Sequence, residues 1–196
     1  MTTTTFDAVD DPLTVTDAKG VTTTNTYDAH GVLQTSSTPL LDASGSPVLN
    51  GTTPVSAVTT YNHATQAHPE DVTSKVDADG NTWAYTYDAA RGYMLSAAAP
   101  ATTDNKENPG VAQTNTTLWA YDPQKGWPSA MVSPRGQLAG VTTSCAPPAV
   151  GCTRYAYADT TKPSGYDLRD SATATADPNG HTTRRHLDAE PATSTR

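Results

Sequence analysis

The sequence predicts an all-β chain of repeated antiparallel β-hairpins, forming a twisted sheet or ribbon with long loops. Three observations predict it. Threonine, whose branched Cβ suits a pleated strand better than a helix, supplies 36 of the 196 residues. One local pattern recurs along the chain at matched spacing. No 3.6-residue apolar pattern of useful length appears anywhere.

Composition narrows the class further. Isoleucine is absent, and Leu (10), Val (13) and Phe (1) together make about 12% of the chain. Below about 20%, that sum meets half of the compositional rule for disorder. The other half is missing, because only 16% of residues are charged. The net charge of −8, with 12 Lys+Arg against 20 Asp+Glu, argues against nucleic acid as a partner. No stretch approaches the roughly 18 apolar residues of a membrane span. The start, Met1 to Asp7, has neither a basic nor an apolar region, so it is not a signal peptide. Either the protein stays inside the cell or this is a piece of a longer exported chain.

The repeat carries the fold. Gly20-Val-Thr-Thr-Thr-Asn-Thr-Tyr27-Asp28 aligns with Gly80-Asn-Thr-Trp-Ala-Tyr-Thr-Tyr87-Asp88 and with Gly180-His-Thr-Thr-Arg-Arg-His-Leu187-Asp188. Each glycine closes an Asp-x-x-Gly, beginning at Asp17, Asp77 and Asp177. Further matches fall at Tyr61-Asn62, Tyr121-Asp122 and Tyr157-Ala158, giving about five to six irregular units in a single array over residues 1–196. After the Tyr comes a turn: Asp28-Ala-His-Gly31, Asp88-Ala-Ala-Arg-Gly92 or Asp122-Pro-Gln-Lys-Gly126. Asp opens such a turn by capping the backbone locally, and Gly ends it where φ must be positive. A short apolar stretch follows, as in Val32-Leu33 or Tyr93-Met94-Leu95, and Pro39 and Pro100 then stop the strand.

Aromatic residues in the strands recur at period two. Trp83, Tyr85 and Tyr87 share one face, as do Trp119 with Tyr121 and Tyr155 with Tyr157. Stacked hairpins would line these rings into a ladder worth ~0.5–1 kcal/mol per cross-strand pair. Insertions at roughly 41–59, 100–113 and 140–151 read as exposed loops. The last of them holds Cys145 and Cys152, separated by Ala-Pro-Pro-Ala-Val-Gly. A disulfide there is easy to close, and a pair of free thiols is the alternative.

Tyr-Asp, a short turn ending in Gly, an apolar pair, and an Asp-x-x-Gly leading to the next Tyr-Asp resemble the YD repeat of the RHS (rearrangement hotspot) family. The best copies are Tyr27-Asp28-Ala-His-Gly31-Val-Leu33 and the run from Asp77 to Asp88, and the resemblance extends from about Phe6 to Pro191. Tyr61-Asn62 and Tyr157-Ala158 depart from it by lacking Asp, and Leu187 by replacing Tyr. The repeat positions are Gly20, Tyr27, Asp28, Gly31, Gly80, Tyr85, Tyr87, Asp88, Gly92, Trp119, Tyr121, Asp122, Gly126 and Gly180. The resemblance implies a section of a long bacterial, secreted or cell-surface protein, whose repeats wind into a β-shell. Its partners would be the rest of that chain or an enclosed toxin domain. Asp177-Pro-Asn-Gly180 is the nearest fragment to the family's self-cleavage segment, and it fits the ordinary repeat turn.

Catalytic, cofactor and metal sites are not expected. His30, His63, His68, His181 and His186 form no ligand pattern and read as surface residues. Asp77-Ala-Asp79-Gly80-Asn81 has its Gly at the fourth position, where a calcium loop wants it at the sixth, so it reads as a turn. Gly-x-Ser-x-Gly and phosphate-binding glycine loops are missing. Asn50-Gly-Thr52 and Asn115-Thr-Thr117 are glycosylation sequons, without meaning in a typical bacterium. Two function classes remain: a structural segment, and a carbohydrate-binding surface that uses the aromatic ladder for surface glycans. A repeat array leans on its neighbours. The isolated chain is therefore expected to be marginal, aggregating through strand edges or partly unfolded. A sharp, cooperative thermal transition of a monomer would count against that expectation.

Overall fold

The structure is a computed structural model that describes residues 1–63, 68–103, 110, 112–157 and 172–185. It divides into two compact units, Met1–Thr114 and Asn115–Arg196. The fold is all-β and antiparallel throughout its pairings, as the threonine content and the repeat predict.

The first unit is a meander. Strands β1 (Thr3–Phe6), β2 (Pro12–Thr16), β3 (Thr22–Tyr27) and β4 (Leu33–Pro39) pair in succession. A small side hairpin follows, β5 (Leu49–Asn50) with β6 (Thr53–Pro54). The sheet resumes with β7 (Ser56–His63) against β4, then β8 (Val72–Val76), β9 (Thr82–Tyr87) and β10 (Met94–Ala98). The insertion expected at 41–59 is therefore shorter than its sequence suggested. Ser56–Thr59 already belong to β7, since Ser56 and Ala57 pair with Pro39 and Thr38. Ser, Thr and Pro mark loops by composition, but here two of those types lie inside paired strand.

One turn design recurs along the chain. The backbone carbonyl of the leading Asp accepts from the residue three on, and its Oδ1 accepts the N–H groups two and four residues on. At Asp17, Lys19 and Val21 donate to Oδ1 at 2.8 and 2.9 Å, and Gly20 N–H donates to the carbonyl at 3.1 Å. Asp28, Asp42, Asp77 and Asp177 repeat the arrangement. Asp88 and Asp122 open turns one residue longer, and their Oδ1 atoms take the N–H groups two and three residues on. Asp7 builds the same turn with Val9 and Asp11. There the positive-φ position falls on Asp10, at +69°, where the other turns have glycine.

Five of the described hairpins carry the same one-residue slip. Thr26 pairs with Thr35 but Tyr27 with Leu33, and Thr86 pairs with Ser96 but Tyr87 with Met94. The slip recurs at Phe6, His63 and Tyr121. Two residues then oppose one, which bends the strand and re-aims the side chain at the bulge. This register corrects the alignment of Tyr61-Asn62 with the Tyr-Asp motif. His63, two residues further on, pairs with Val72 as Tyr27 pairs with Leu33. Leu187-Asp188, Ala158, His186 and residues 104–109 lie outside the described residues.

The second unit contains β11 (Thr116–Tyr121), β12 (Pro128–Val132), β13 (Cys152–Ala156), β14 (Ala174–Ala176) and β15 (Thr182–Arg184), paired in that order. A short helix, α1 (Pro134–Leu138), follows β12. It departs from the helix-free expectation, being too short to leave a periodic trace. Among the described residues, the buried hydrophobic side chains Ala130, Val132 and Cys152, each 0% exposed, all lie in this unit. The first unit has none and is a thin sheet, which is what so few Leu, Val and Phe residues can build.

Two substitutions test these packings. Asp10→Gly relieves a left-handed residue that costs an L-amino acid about 1–2 kcal/mol, offset in part by glycine's freedom when unfolded. A net gain of ~0.5–1 kcal/mol, or ~1–4 °C in melting temperature, is expected. Gly136 faces the opposite constraint, since an added Cβ would stand 2.5 Å from the Val150 carbonyl oxygen and 2.9 Å from Val132 Cγ1. Gly136→Ala should therefore destabilise the second unit by roughly 1–3 kcal/mol in chemical denaturation.

Candidate functional site

The tyrosines at the hairpin ends do more than pack. Tyr27 OH donates to the Pro12 carbonyl at 3.1 Å, and Asn25 Nδ2 donates to the same oxygen at 2.8 Å. Tyr87 OH donates to the Val72 carbonyl at 3.0 Å. His63 makes the corresponding bond, its Nε2 lying 2.7 Å from the Leu33 carbonyl oxygen. In each case the last residue of one hairpin's first strand reaches the first residue of the previous hairpin's second strand. Such a bond contributes ~1 kcal/mol net. Burial pushes the Tyr27 and Tyr87 phenols up, and the nearby Asp11 and Asp71 carboxylates push in the same direction. Both phenols are therefore held as neutral donors.

The turn carboxylates are held the other way. The Val21 amide lowers Asp17 and the Val32 amide lowers Asp28. The Ser44 hydroxyl lowers Asp42, and the Asn81 side chain lowers Asp77. At Asp177, desolvation opposes ionisation, but the His181 and Asn179 amides outweigh it. A carboxylate engaged by several N–H donors favours its charged form. These groups are acceptors committed to turns, and they are poorly suited to proton transfer at neutral pH.

Hydroxyl pairs cross the first sheet on both faces, since Thr23–Thr38, at 2.8 Å, lies on the Tyr27 face and four others lie on the opposite one. Thr5–Thr14, Thr16–Thr22, Thr26–Thr35 and Thr86–Ser96 join hydroxyl to hydroxyl across strands at 2.6–2.8 Å. On the other face Trp83, Tyr85 and Tyr87 are half-buried and alternate with exposed neighbours. They do not form the uninterrupted ring ladder that their spacing suggests. Trp83 pairs with Lys75, whose Nζ sits 4.9 Å from the ring centroid, and Tyr85 pairs with Ala97. Period two fixes which face a side chain takes, whereas its neighbour depends on register. In the second unit, Trp119 and Tyr121 share a face of β11. Trp127 meets Tyr157 at 4.8 Å between centroids and carries the Lys125 ammonium 4.4 Å away.

Cys145 and Cys152 are joined in a disulfide. It closes the 140–151 loop onto β13, where Arg154 Nη1 donates to the Thr143 carbonyl at 3.0 Å and Ala149 N–H donates to Pro178. The histidines are less uniform than a surface assignment implies. His63 also has Nδ1 3.3 Å from the Glu70 carbonyl oxygen, His181 Nδ1 lies 3.2 Å from Asp177 Oδ2, and the His68 ring packs beside Gly92. Sequence reasoning missed two turns and one clasp. Asp42-Ala-Ser-Gly45 was legible as Asp-x-x-Gly, whereas Asp7–Asp10 and His63 lack the signature residue. Among the described residues, no His, Cys, Asp or Glu cluster is arranged to hold a metal ion, and no helix is long and apolar enough to cross a membrane.

No protein-family model matches the chain, and no curated protein does. Among solved structures it is similar to the crystal structure of TcdB2-TccC3. The TM-score is 0.51 at 18% identity, over 80% of this chain and 6% of that one. A second TcdB2-TccC3 structure, without its hypervariable C-terminal region, aligns at a TM-score of 0.22 and 13% identity, over 80% of this chain and 11% of that one. The chain thus spans a small fraction of the protein whose fold it shares. The recurring Asp-turn hairpins of this antiparallel sheet share their fold with a section of TcdB2-TccC3.

Proposed function

We propose that this chain is a section of wall: a non-catalytic stretch of an RHS-type β-shell within a longer secreted or cell-surface bacterial protein. Its partners are the rest of that chain and a toxin domain enclosed by the shell. The observation that carries this reading is the clasp from each hairpin to the one before it, at Tyr27, His63 and Tyr87. Groups that perform chemistry in an enzyme are here committed to holding strands together. The turn carboxylates accept backbone N–H groups, and the phenols donate to backbone carbonyls. The fold likeness to TcdB2-TccC3 over 80% of this chain supports the reading, and the 6% share of that chain suits a section of something longer.

A second reading, a carbohydrate-binding face, has its support in the half-buried Trp83, Tyr85 and Tyr87. Flat aromatic faces stack well on sugar rings. Here Lys75 lies over Trp83, and Lys125 and Tyr157 lie against Trp127, so those faces are partly taken. A glycan array probed with the chain and with Trp83→Ala and Trp119→Ala separates the two readings. No saturable binding is expected. Tight binding to one glycan class that either variant abolishes would overturn the structural assignment.

A further inference from the structure

The chain contains two Asn-Gly pairs, Asn50-Gly51 and Asn179-Gly180, and the fold treats them in opposite ways. Asn50 ends β5 and pairs with Thr53 across a two-residue turn. Asn50, Gly51 and Thr52 are all exposed. Gly51 has φ +65° and nothing within 4 Å of where a Cβ would stand. Its N–H donates to no group among the described residues. Asn179 sits instead inside the Asp177 turn. Its own N–H donates to Asp177 Oδ1 at 2.9 Å, and Gly180 N–H donates to the Asp177 carbonyl at 2.9 Å. Pro148 covers Gly180, with Cδ 3.4 Å from the Cβ position.

We infer that Asn50 is a site of spontaneous deamidation, a self-modification that the fold permits at the tip of the β5–β6 hairpin and suppresses at Asn179. The Gly51 backbone nitrogen loses its proton to solvent base and attacks Asn50 Cγ. A C–N bond forms, the bond from Cγ to Nδ2 breaks, and ammonia leaves with a proton. The resulting succinimide takes up water at either carbonyl, giving Asp or isoaspartate at position 50. At Asn179 the attacking amide is already held by the Asp177 carbonyl, beside an ionised carboxylate that discourages further loss of a proton.

The product alters a defined element. Isoaspartate adds one methylene to the main chain where Asn50 pairs with Thr53, and either product adds a negative charge. The affected segment is tied to itself and to Leu40, the residue after β4, by bonds from Leu40 to Val55, from Val48 to Leu40 and from Val55 to Val48. It lies outside the main strand order of its unit, so the change marks the protein's age without cutting through the sheet.

The test is to incubate the whole chain in mildly alkaline buffer, natively and in denaturant. Conversion is followed by peptide mass mapping and isoaspartate labelling at both pairs. In the native chain Asn50 is expected to convert about ten-fold faster than Asn179, the factor corresponding to a hydrogen bond that must be released first. In denaturant the two rates should converge, because the protecting turn is gone. Equal native rates, a faster Asn179, or an intact Asn50 would overturn the assignment. So would a difference that persists in denaturant, since it would then come from sequence and not from fold.

Discussion

One carboxylate oxygen accepting two amide protons is the constraint on which the rest of this structure depends. At Asp17, Asp28, Asp42, Asp77 and Asp177 the oxygen takes the N–H groups two and four residues on. That pair of bonds reverses the chain within a few residues and leaves the flanking strands in register. Without a deep core, the sheet cannot rely on burial to select its turns. The turns instead specify themselves, from residues adjacent in sequence, and the strands follow.

The first unit shows what such specification allows. Its described residues include no fully buried hydrophobic side chain, yet seven strands follow β1 in an unbroken antiparallel order. Ladder bonds, threonine pairs such as Thr26–Thr35, and the carbonyl clasps of Tyr27 and Tyr87 replace an aliphatic interior. The second unit uses a more conventional solution. Ala130, Val132 and Cys152 are fully buried, Val132 beside Gly136 of α1 and Cys152 within the disulfide, and Gly136 and Gly151 approach closely because neither carries a side chain.

Legibility in the sequence followed the range of the interaction. The turns at Asp28 and Asp77 were readable because every group they need lies within five residues. The turn at Asp7 was hidden, because Asp10 occupies the left-handed position without being glycine. His63 was hidden by the neighbouring Tyr61-Asn62, a better match to the motif placed two residues out of register. The pairing of Trp83 with Lys75 was unreadable for a different reason. Period two assigns a face, whereas the opposite residue is set by the register that the Asp77 turn imposes on β8 and β9. Helix α1 left no periodic signal in its five residues.

The clasps also have a direction. Pro12 precedes Tyr27, Leu33 precedes His63, and Val72 precedes Tyr87, so every acceptor is synthesised before its donor. A chain emerging from the ribosome would find each docking carbonyl already displayed by the hairpin that came out before. Assembly of the sheet can therefore proceed vectorially, one hairpin at a time, each new strand docking on one already made.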